Sequence, residues 1–380
     1  MKIRIAGAAT TEFGELWKTS PRELAREAIT GALKDAGKKY DEIDALFVGN
    51  MLAGMLGNQA NLGALFAEEL GISVPAFRVE AACASGGLAL HNAINSILAG
   101  QYKTVLVLGI EKMTDSSSDE VTAGLMAAGS DEERQAGLTF PGIYALMAQA
   151  YMDKYKVSEE VLASVSVKNH FHGSLNEKAQ FRRLITVEDV MKSGRIADPL
   201  KLLDCSPISD GASAVIIEDE NQKSSKPVFI TASETASDTL SLHDRESFTT
   251  LSAVVRASRK AYEKTGIKPE DIDVAEIHDC FSIAEVIATE DLGFSKKGEG
   301  ARDIQKGKRT IGKGKIITNP SGGLKACGHP VGATGIKQIV EITQQLRGQA
   351  GKRQVKDVKI GLTHNVGGSG SAAVIHILQN

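Results

Sequence analysis

An internal repeat limits what this chain can fold into more than any other feature of its sequence. One pattern of small and apolar residues, closed by an aspartate, occurs twice at a single common offset. The matched positions are Ala28, Ala32, Gly37, Ile43 and Asp44 in the first copy and Ala257, Ala261, Gly266, Ile272 and Asp273 in the second. The repeat predicts two similar halves.

A second match indicates that the first copy is the longer one. Residues 211–215 correspond to 370–374, at an offset that is shorter by roughly 70 residues. The segment 114–207, rich in Met, Ser and charged residues, lacks the alternation of strand and helix patterns seen elsewhere. We therefore predict an N-terminal half at 1–113 and 208–222, an inserted loop domain at 114–207 and a C-terminal half at 226–380.

Strand and helix patterns alternate in the first half. A proline at residue 21 and a glycine at residue 37 are typical of the start and end of a helix. The predicted strands are 2–8, 43–49, 77–81 and 105–109, and the predicted helices are 21–36, 58–70 and 88–98. This alternation predicts an α/β fold with a mostly parallel sheet that helices cover on both faces.

Composition excludes several classes of function. The formal net charge of −3 and the absence of a dense Lys/Arg run argue against nucleic acid as a partner. The four cysteines form no CxxC pair, which argues against a disulfide framework and for a reducing compartment. The N-terminus lacks a signal-peptide core, and no apolar run approaches a membrane span. We expect a cytoplasmic protein with no membrane partner.

Cys83 stands where a short strand pattern meets small residues and a helix pattern begins. In that position the free N–H groups of the first helical turn, together with the helix dipole, favour the thiolate. The thiolate is the nucleophilic form of cysteine. The small residues 84–87 leave room for a substrate. A buried core cysteine is the alternative interpretation.

Three stretches of the second half carry further reactive side chains: 278–281 (HDCF), 319–335, which contains His329, and 364–370 (HNVGGSG). Glycine this dense beside His and Cys indicates backbone packed against a ligand, with N–H groups free to stabilise an oxyanion. The repeat aligns residues 82–83 with 326–329, each directly before an equivalent helix. We therefore expect Cys83 and His329 to meet near a pseudo-twofold axis.

These motifs resemble those of the thiolase family. The resemblance rests on 80–86 (EAACASG), on GHP at 328–330 with GATG at 332–335, and on the C-terminal glycine loop. It covers essentially the whole chain and implies a thiolase-like fold, layered α-β-α-β-α. HDCF at 278–281 is similar to the sterol-carrier-protein-type and archaeal-type thiolases, whereas biosynthetic and degradative thiolases have NEAF there.

The resemblance also implies a set of site residues. Cys83 matches the acyl nucleophile, His329 the base that activates it and helps to line an oxyanion hole, and His278 a second group of that hole. The backbone N–H groups of Cys83 and Gly367 match the hole for the acyl-enzyme. Ser206 and Phe281 match positions along the pantetheine arm of the substrate.

One position departs from the family pattern. Most thiolases keep a second catalytic cysteine in a Cys-x-Gly loop, which here reads Asn365-Val366-Gly367. The resemblance implies that Cys280 of HDCF supplies this acid/base group, and removal of a proton α to a thioester requires one. Cys205 and Cys327 are interpreted as structural. Lys325, His170 and His172 are weaker candidates for binding the CoA phosphates. The alternative interpretation is that these side chains are exposed to solvent.

The resulting hypothesis is an acetyl-CoA C-acetyltransferase. It would join two acetyl-CoA molecules into acetoacetyl-CoA and CoA and catalyse the reverse thiolysis, with CoA thioesters as substrates and no cofactor. No metal is expected, because zinc would occupy the lone pairs that catalysis needs. The alternatives are a related condensing enzyme (HMG-CoA synthase or ketoacyl synthase) and a non-catalytic acyl-CoA-binding scaffold. The resemblance further implies a homodimer or homotetramer and a possible complex with an HMG-CoA synthase through a small bridging protein.

Overall fold

The computed structural model describes residues 2–219 and 227–380. The predicted domain boundaries at residues 222 and 226 lie outside the described residues. Within the described ranges, no helix combines the length and the apolar character that crossing a membrane requires.

Helices and strands alternate along most of the chain. The helices are α1 (Pro21–Ala36), α2 (Ala53–Leu56), α3 (Leu62–Leu70), α4 (Ser85–Leu98), α5 (Ser118–Met126), α6 (Asp131–Gln135), α7 (Phe140–Tyr155), α8 (Glu159–Ser174), α9 (Val187–Lys192), α10 (Ser252–Thr265), α11 (Ser282–Asp291), α12 (Gly300–Gln305), α13 (Gly323–Cys327) and α14 (Val331–Arg347). The strands are β1 (Ile3–Thr10), β2 (Ala45–Gly49), β3 (Ala76–Val79), β4 (Thr104–Glu111), β5 (Arg195–Ala197), β6 (Leu200–Lys201), β7 (Gly211–Asp219), β8 (Val228–Ser237), β9 (Val274–Ile277), β10 (Ile317–Thr318), β11 (Ile360–Gly367) and β12 (Ala372–Gln379).

Ten strands form one sheet in the order β10-β9-β11-β12-β8-β1-β7-β4-β2-β3. Its two ends are parallel, because β2 pairs in parallel with β3 and β4, and β9 with β10 and β11. Its centre is antiparallel, since β7 and β12 run against both of their neighbours. The expectation of a mostly parallel sheet is therefore wrong. Strand β12 returns directly from β11 through a tight turn at residues 368–371, and such a return forces an antiparallel pair.

The repeat in the sequence is a repeat in the structure. The sheet divides between β1 and β8 into two sets of five strands that follow the same order, so that β1, β7, β4, β2 and β3 correspond to β8, β12, β11, β9 and β10. Helices α1 and α10 correspond as well, and each ends at a left-handed glycine, Gly37 at φ 66° and Gly266 at φ 70°. Only glycine adopts this conformation without strain, which explains why the spacing survives in both copies.

The layers follow from which faces of the strands are buried together. In β4, Leu106 and Leu108 pack with α1 and α3, whereas Val105 and Val107 pack with α4 and α14. In the second half, β11 and β12 pack on one face with α10 and α11. Helices α4 and α14 therefore form a central layer between the two halves of the sheet, which gives the order α-β-α-β-α. The prediction of two similar α/β halves in a layered fold is confirmed.

The segment between β4 and β7 carries helices α5–α9 and the small antiparallel pair β5–β6. It packs against the second half as well as the first, since Tyr144 and Tyr151 of α7 share a buried cluster with residues of α10 and α11. This packing brings the inserted segment over the end of the sheet where β3, β9 and β11 terminate.

Glycines allow the two central helices to touch at their N-terminal ends. A Cβ atom at Gly86 would lie 2.7 Å from the carbonyl oxygen of Gly332, and one at Gly335 would lie 2.3 Å from the backbone nitrogen of Gly87. Backbone atoms cannot move away as the end of a flexible side chain can. The crossing of α4 and α14 is therefore possible only with glycine at these positions.

We expect Gly335→Ala to lower the free energy of unfolding by about 2–3 kcal/mol, the upper part of the range for overpacking a tight core. Urea denaturation measures this change. Gly194→Ala is the matched control: nothing lies within 4 Å of its added Cβ, and its effect should stay within about 0.5 kcal/mol. Equal unfolding midpoints for the two variants would contradict the account of the helix crossing.

Candidate active site

Cys83 lies in a tight turn between β3 and α4. Ala82, directly before it, has a φ of 50°, which is unusual for a residue with a side chain. The hydroxyl of Ser85 holds the turn, because its Oγ accepts from the backbone nitrogen of Ala81 at 2.9 Å and donates to the carbonyl of Ala82 at 2.5 Å. The chain thereby presents Cys83 at the N-terminal end of α4.

His329 occupies the equivalent place before α14. Its backbone N–H donates to Ser209 Oγ at 3.0 Å, and its Nδ1 lies 2.7 Å from Thr334 Oγ1. The Thr334 hydroxyl donates its hydrogen to the carbonyl of Pro330 at 3.1 Å, so that its oxygen accepts from Nδ1–H. We therefore assign the proton of the neutral ring to Nδ1, which leaves Nε2 with a lone pair that can accept a proton.

Cys83, His278 and His329 converge as predicted. The Cys83 sulfur and one ring nitrogen of each histidine all lie within 4.8 Å of one another. The two imidazoles meet edge to face, with ring centroids 5.0 Å apart and planes at 83°. A thiol and two imidazoles at this separation are also the ligand types that zinc prefers.

A cavity of about 210 Å³ opens onto this cluster. Among the residues in its wall are Cys83, Cys280 and His329, together with the two predicted substrate-binding residues, Ser206 and Phe281. His278 is buried behind the cavity wall, against the His329 ring. Five of the predicted side chains therefore share one cavity, and the sixth lies directly behind it.

The backbone donor beside Cys83 is Gly368 rather than the predicted Gly367. Gly367 is the last residue of β11 and is paired with Ala372 of β12. Gly368, one residue later, has a φ of 58°, lines the cavity beside Cys83, and its backbone N–H acts to lower the pKa of the Cys83 thiol. The left-handed conformation of Gly368 turns its N–H away from the hydrogen bonds between β11 and β12. A sequence motif does not reveal such a turn.

Burial affects the pKa of the Cys83 thiol more than the N-terminal end of α4 does. Burial away from water raises the pKa of the Cys83 thiol, and the neighbouring ionisable side chains Cys280 and Glu111 raise it further. The backbone N–H groups of Gly368 and Cys83 act in the opposite direction but do not compensate. The expectation that the helix N-terminus keeps Cys83 as a thiolate is therefore wrong, and Cys83 rests as a thiol.

The histidines are neutral for the same reason. Burial lowers the pKa of His278 to about 3 and lowers that of His329 well below its usual value, to which the neighbouring His278 contributes. A neutral imidazole beside a neutral thiol can take the proton only when an electrophile arrives to accept the sulfur.

Cys280 is buried, and desolvation raises its pKa to about 12. The neighbouring Tyr144 side chain acts against this rise. The backbone N–H of Ser206 donates to the carbonyl of Cys280 at 2.9 Å, which fixes the residue against the inserted segment. A thiol with a raised pKa is a strong base once it has lost its proton.

Sequence reasoning missed Tyr144 and Glu111. Tyr144 of α7 lines the cavity, donates to the carbonyl of Gly368 at 3.2 Å and stacks on Phe281 with centroids 4.6 Å apart. It lies in the predicted inserted loop domain, where no alternation of strand and helix patterns drew attention to it.

Glu111 is buried at the end of β4. Its carboxylate accepts from the backbone N–H of Met51 at 2.9 Å and of Gly332 at 3.1 Å, and thus ties the start of α14 to the first half. Burial raises its pKa to about 7. A charged residue directly after the apolar run 105–110 was the available signal in the sequence.

Three weaker candidates for CoA phosphates lie inside the protein. Lys325 is 1% exposed and donates to the carbonyl of Asp204. His170 and His172 are buried in α8, and His172 Nδ1 lies 3.0 Å from the carbonyl of Asn319. Because these side chains face neither solvent nor the cavity, both the phosphate interpretation and the solvent interpretation of them are wrong.

Comparison with known proteins places this site in a family. The model of the thiolase N-terminal domain matches residues 3–221, and that of the thiolase C-terminal domain matches residues 234–380. The chain belongs to the thiolase family.

Two relatives and one solved structure illustrate the similarity. The acetyl-CoA acetyltransferase of Methanothermobacter thermautotrophicus is 49% identical over 381 residues, with 99% of each chain covered. Human sterol carrier protein 2 is 36% identical over 394 residues, with 98% of this chain and 71% of the relative covered. The Ltp2-ChsH2(DUF35) aldolase superimposes with a TM-score of 0.85 at 25% identity, with 99% of this chain and 97% of that chain covered. The predicted resemblance to thiolases of the sterol-carrier-protein and archaeal types is confirmed.

The raised Cys83 pKa gives a testable reactivity profile. We expect the rate of Cys83 alkylation by iodoacetamide in the free protein to keep rising up to pH 9, because the thiolate fraction is still growing there. Mass spectrometry of the modified peptide follows the rate, with Cys83→Ala as the control for alkylation elsewhere. A plateau between pH 6 and 8 would show a resting thiolate and contradict this assignment.

Proposed function

We propose that this thiolase is an acetyl-CoA C-acetyltransferase, which joins two acetyl-CoA molecules into acetoacetyl-CoA and CoA and catalyses the reverse thiolysis. The observation that carries the proposal is the single cavity that presents Cys83, Cys280 and His329 to one substrate. The 49% identical acetyl-CoA acetyltransferase supports the choice of acyl group. In this proposal the CoA thioesters are substrates and no further cofactor takes part.

The first half-reaction transfers an acetyl group to Cys83. His329 Nε2 takes the thiol proton as the sulfur attacks the thioester carbon, which explains why His329 must be neutral beforehand. Backbone N–H groups of Cys83 and Gly368 stabilise the oxyanion. Cys280 gives its proton to the departing CoA sulfur, so that the site then holds an imidazolium, a Cys280 thiolate and acetylated Cys83.

The second half-reaction forms the carbon–carbon bond. The Cys280 thiolate removes a proton from the methyl group of the second acetyl-CoA, and the enolate oxygen accepts a hydrogen bond from His278. The enolate carbon attacks the acetyl group on Cys83, and the tetrahedral intermediate collapses to acetoacetyl-CoA. His329 returns its proton to Cys83, and both thiols are restored.

Ser206 and Phe281 support a site for the pantetheine arm. Both line the cavity, and residues 205 and 281 form an isolated antiparallel bridge that joins the inserted segment to the HDCF loop. The stacked ring of Tyr144 holds Phe281 in the wall. An extended arm can lie along this bridge with its thioester at Cys83.

The thiol of Cys280 in the cavity wall separates this proposal from its rivals. HMG-CoA synthases and ketoacyl synthases use Glu or Asn where a thiolase uses the second cysteine, and here Cys280 occupies the wall. A scaffold that only binds acyl-CoA would need neither thiol.

We expect Cys83→Ala and Cys280→Ala to fail at different steps. Cys280→Ala should still become acetylated at Cys83 by radiolabelled acetyl-CoA, but lose α-proton exchange of acetyl-CoA with D₂O by at least about 100-fold, the lower bound for a general base. Cys83→Ala should take up no label. Gel fluorography and NMR of the exchanged methyl group measure the two steps.

Cys327→Ala is the matched control, since Cys327 is a buried cysteine packed with Phe13 and Ala333 outside this cavity. It should label and exchange like the parent protein. Loss of exchange in Cys327→Ala as well as in Cys280→Ala, or labelling of Cys83→Ala, would refute the assigned roles.

We further propose that the protein is a homo-oligomer built on the open edge of the sheet. Strand β3 ends the strand order, and Phe77 on it is 43% exposed. Phe77 forms a groove with Phe47, Val79 and Tyr102 beside α4. An unpaired edge strand with an exposed aromatic side chain is a typical surface for pairing with a second copy. A second proposal is a complex with a small partner protein, which the presence of ChsH2(DUF35) in the Ltp2 neighbour supports. That such a protein bridges to an HMG-CoA synthase is what the thiolase resemblance implies.

Phe77→Glu should convert the oligomer into monomers, because a charge on the edge opposes pairing. Size-exclusion chromatography with light scattering measures the mass. Val255→Glu on α10, with 38% of Val255 exposed, is the control that leaves the mass unchanged. A parent protein that is monomeric at micromolar concentration would refute the proposed assembly.

A further inference from the structure

Asn365 stands in the loop where most thiolases are expected to have their second cysteine, and it has no role in the mechanism above. Its side chain is buried on β11 with 1% of the residue exposed. It makes three contacts: Oδ1 accepts from the backbone N–H of Gly87 at 3.1 Å, Nδ2 donates to the carbonyl of Cys83 at 2.9 Å, and Nδ2 lies 3.3 Å from His278 Nδ1.

Two of these partners fix the orientation of the amide. A backbone N–H can only donate and a backbone carbonyl can only accept, so Oδ1 must face Gly87 and Nδ2 must face Cys83. The second hydrogen of Nδ2 then points at His278 Nδ1. That atom must accept it and cannot carry a hydrogen itself.

The tautomer of His278 follows from this contact. A buried neutral imidazole carries one ring hydrogen, and with Nδ1 as acceptor that hydrogen is on Nε2. Nε2 is buried and has no hydrogen-bond partner among the described residues. A buried donor without a partner is costly, and here it belongs to a ring that lies against His329 and close to the Cys83 sulfur. It is the donor left for an oxygen of the substrate.

We propose that Asn365 is a positioning residue that holds His278 as the Nε2–H tautomer, so that His278 can only donate toward the thioester oxygen while His329 can accept. The two imidazoles thereby have opposite, fixed roles: Thr334 places the hydrogen of His329 on Nδ1, and Asn365 places that of His278 on Nε2. The tautomer rests on geometry alone, and the identity of the acceptor rests on the proposed function.

The contact between Asn365 and His278 also acts against metal binding by Cys83, His278 and His329. Zinc would need the lone pair of His278 Nε2, which would move the ring hydrogen to Nδ1, directly against the amide hydrogen of Asn365. An aspartate at residue 365 would reverse this preference. Its carboxylate would accept from Nδ1–H and free Nε2 for a metal, as in the carboxylate–histidine–zinc arrangement.

NMR of protein labelled with ¹⁵N-histidine tests the tautomer directly. In the parent protein His278 should show a protonated Nε2 and an unprotonated Nδ1, with His278→Gln to assign the signals. Asn365→Asp should reverse the two nitrogens, and Asn365→Ala should no longer hold a single tautomer. Thr363→Val, on the same strand, removes a hydroxyl without a hydrogen-bond partner in the described part of the chain and should leave the parent signals unchanged.

Zinc binding gives a second readout that does not depend on turnover. Competition with a chromophoric chelator should show that Asn365→Asp binds Zn²⁺ at least about 10-fold more tightly than the parent protein, the lower bound for a second-shell partner. The gain should vanish in the double variant Asn365→Asp/Cys83→Ala. An equal Zn²⁺ affinity of parent and Asn365→Asp, or an Nδ1–H tautomer in the parent, would overturn the proposal.

Kinetics separate this inference from the proposed function. Asn365→Asp and Asn365→Ala should lower kcat of the condensation about 100-fold, the effect of losing one oxyanion donor, with KM nearly unchanged. A parent protein with the Nε2–H tautomer but without condensation activity would refute the proposed function and leave the role of Asn365 standing. A parent protein with the Nδ1–H tautomer and full condensation activity would refute the role of Asn365 and leave the proposed function standing.

Discussion

The close contact between the N-terminal ends of α4 and α14 is the constraint on which the rest of the structure depends. At this crossing the backbone of Gly86 meets that of Gly332, and the backbone of Gly87 meets Gly335. No side chain separates the two helices, so the turns that precede them are brought together. One turn carries Cys83 and the other carries His329. A nucleophile and a base far apart in the sequence are thus adjacent because four glycines allow two helices to touch.

Bringing these side chains together also removes water from around them. Desolvation shifts the pKa values of Cys83, Cys280, His278 and His329 toward their neutral forms, even though Cys83 itself is only half-buried. Charge therefore cannot distinguish the roles of the side chains before a substrate arrives. Hydrogen bonds do so instead. Thr334 leaves His329 with a free lone pair, and Asn365 leaves His278 with a free N–H.

The inserted segment completes what the two halves begin. The halves supply Cys83, His278, Cys280 and His329, but the cavity in front of them is closed by α7 and by residues 205–208. Tyr144 contacts both sides of the reaction centre, because its hydroxyl bonds the carbonyl of Gly368 and its ring packs on Phe281. The duplicated core thus provides the reacting groups, and the insertion shapes the space for the substrate.

The sequence by itself determined the two halves, the segment inserted into the first of them and the residues that converge, because the spacing at helix ends and in glycine-rich turns is a local property of the sequence. Gly37 and Gly266, or the GHP and HDCF motifs, are recognisable without neighbours. Only the tertiary structure decided the mixed direction of the strands, the donor at Gly368 in place of Gly367, the part played by Tyr144 and the burial of Lys325. It also decided that Cys83 rests as a thiol. Each of these depends on which surfaces meet and how much water they exclude, and a sequence pattern does not contain that information.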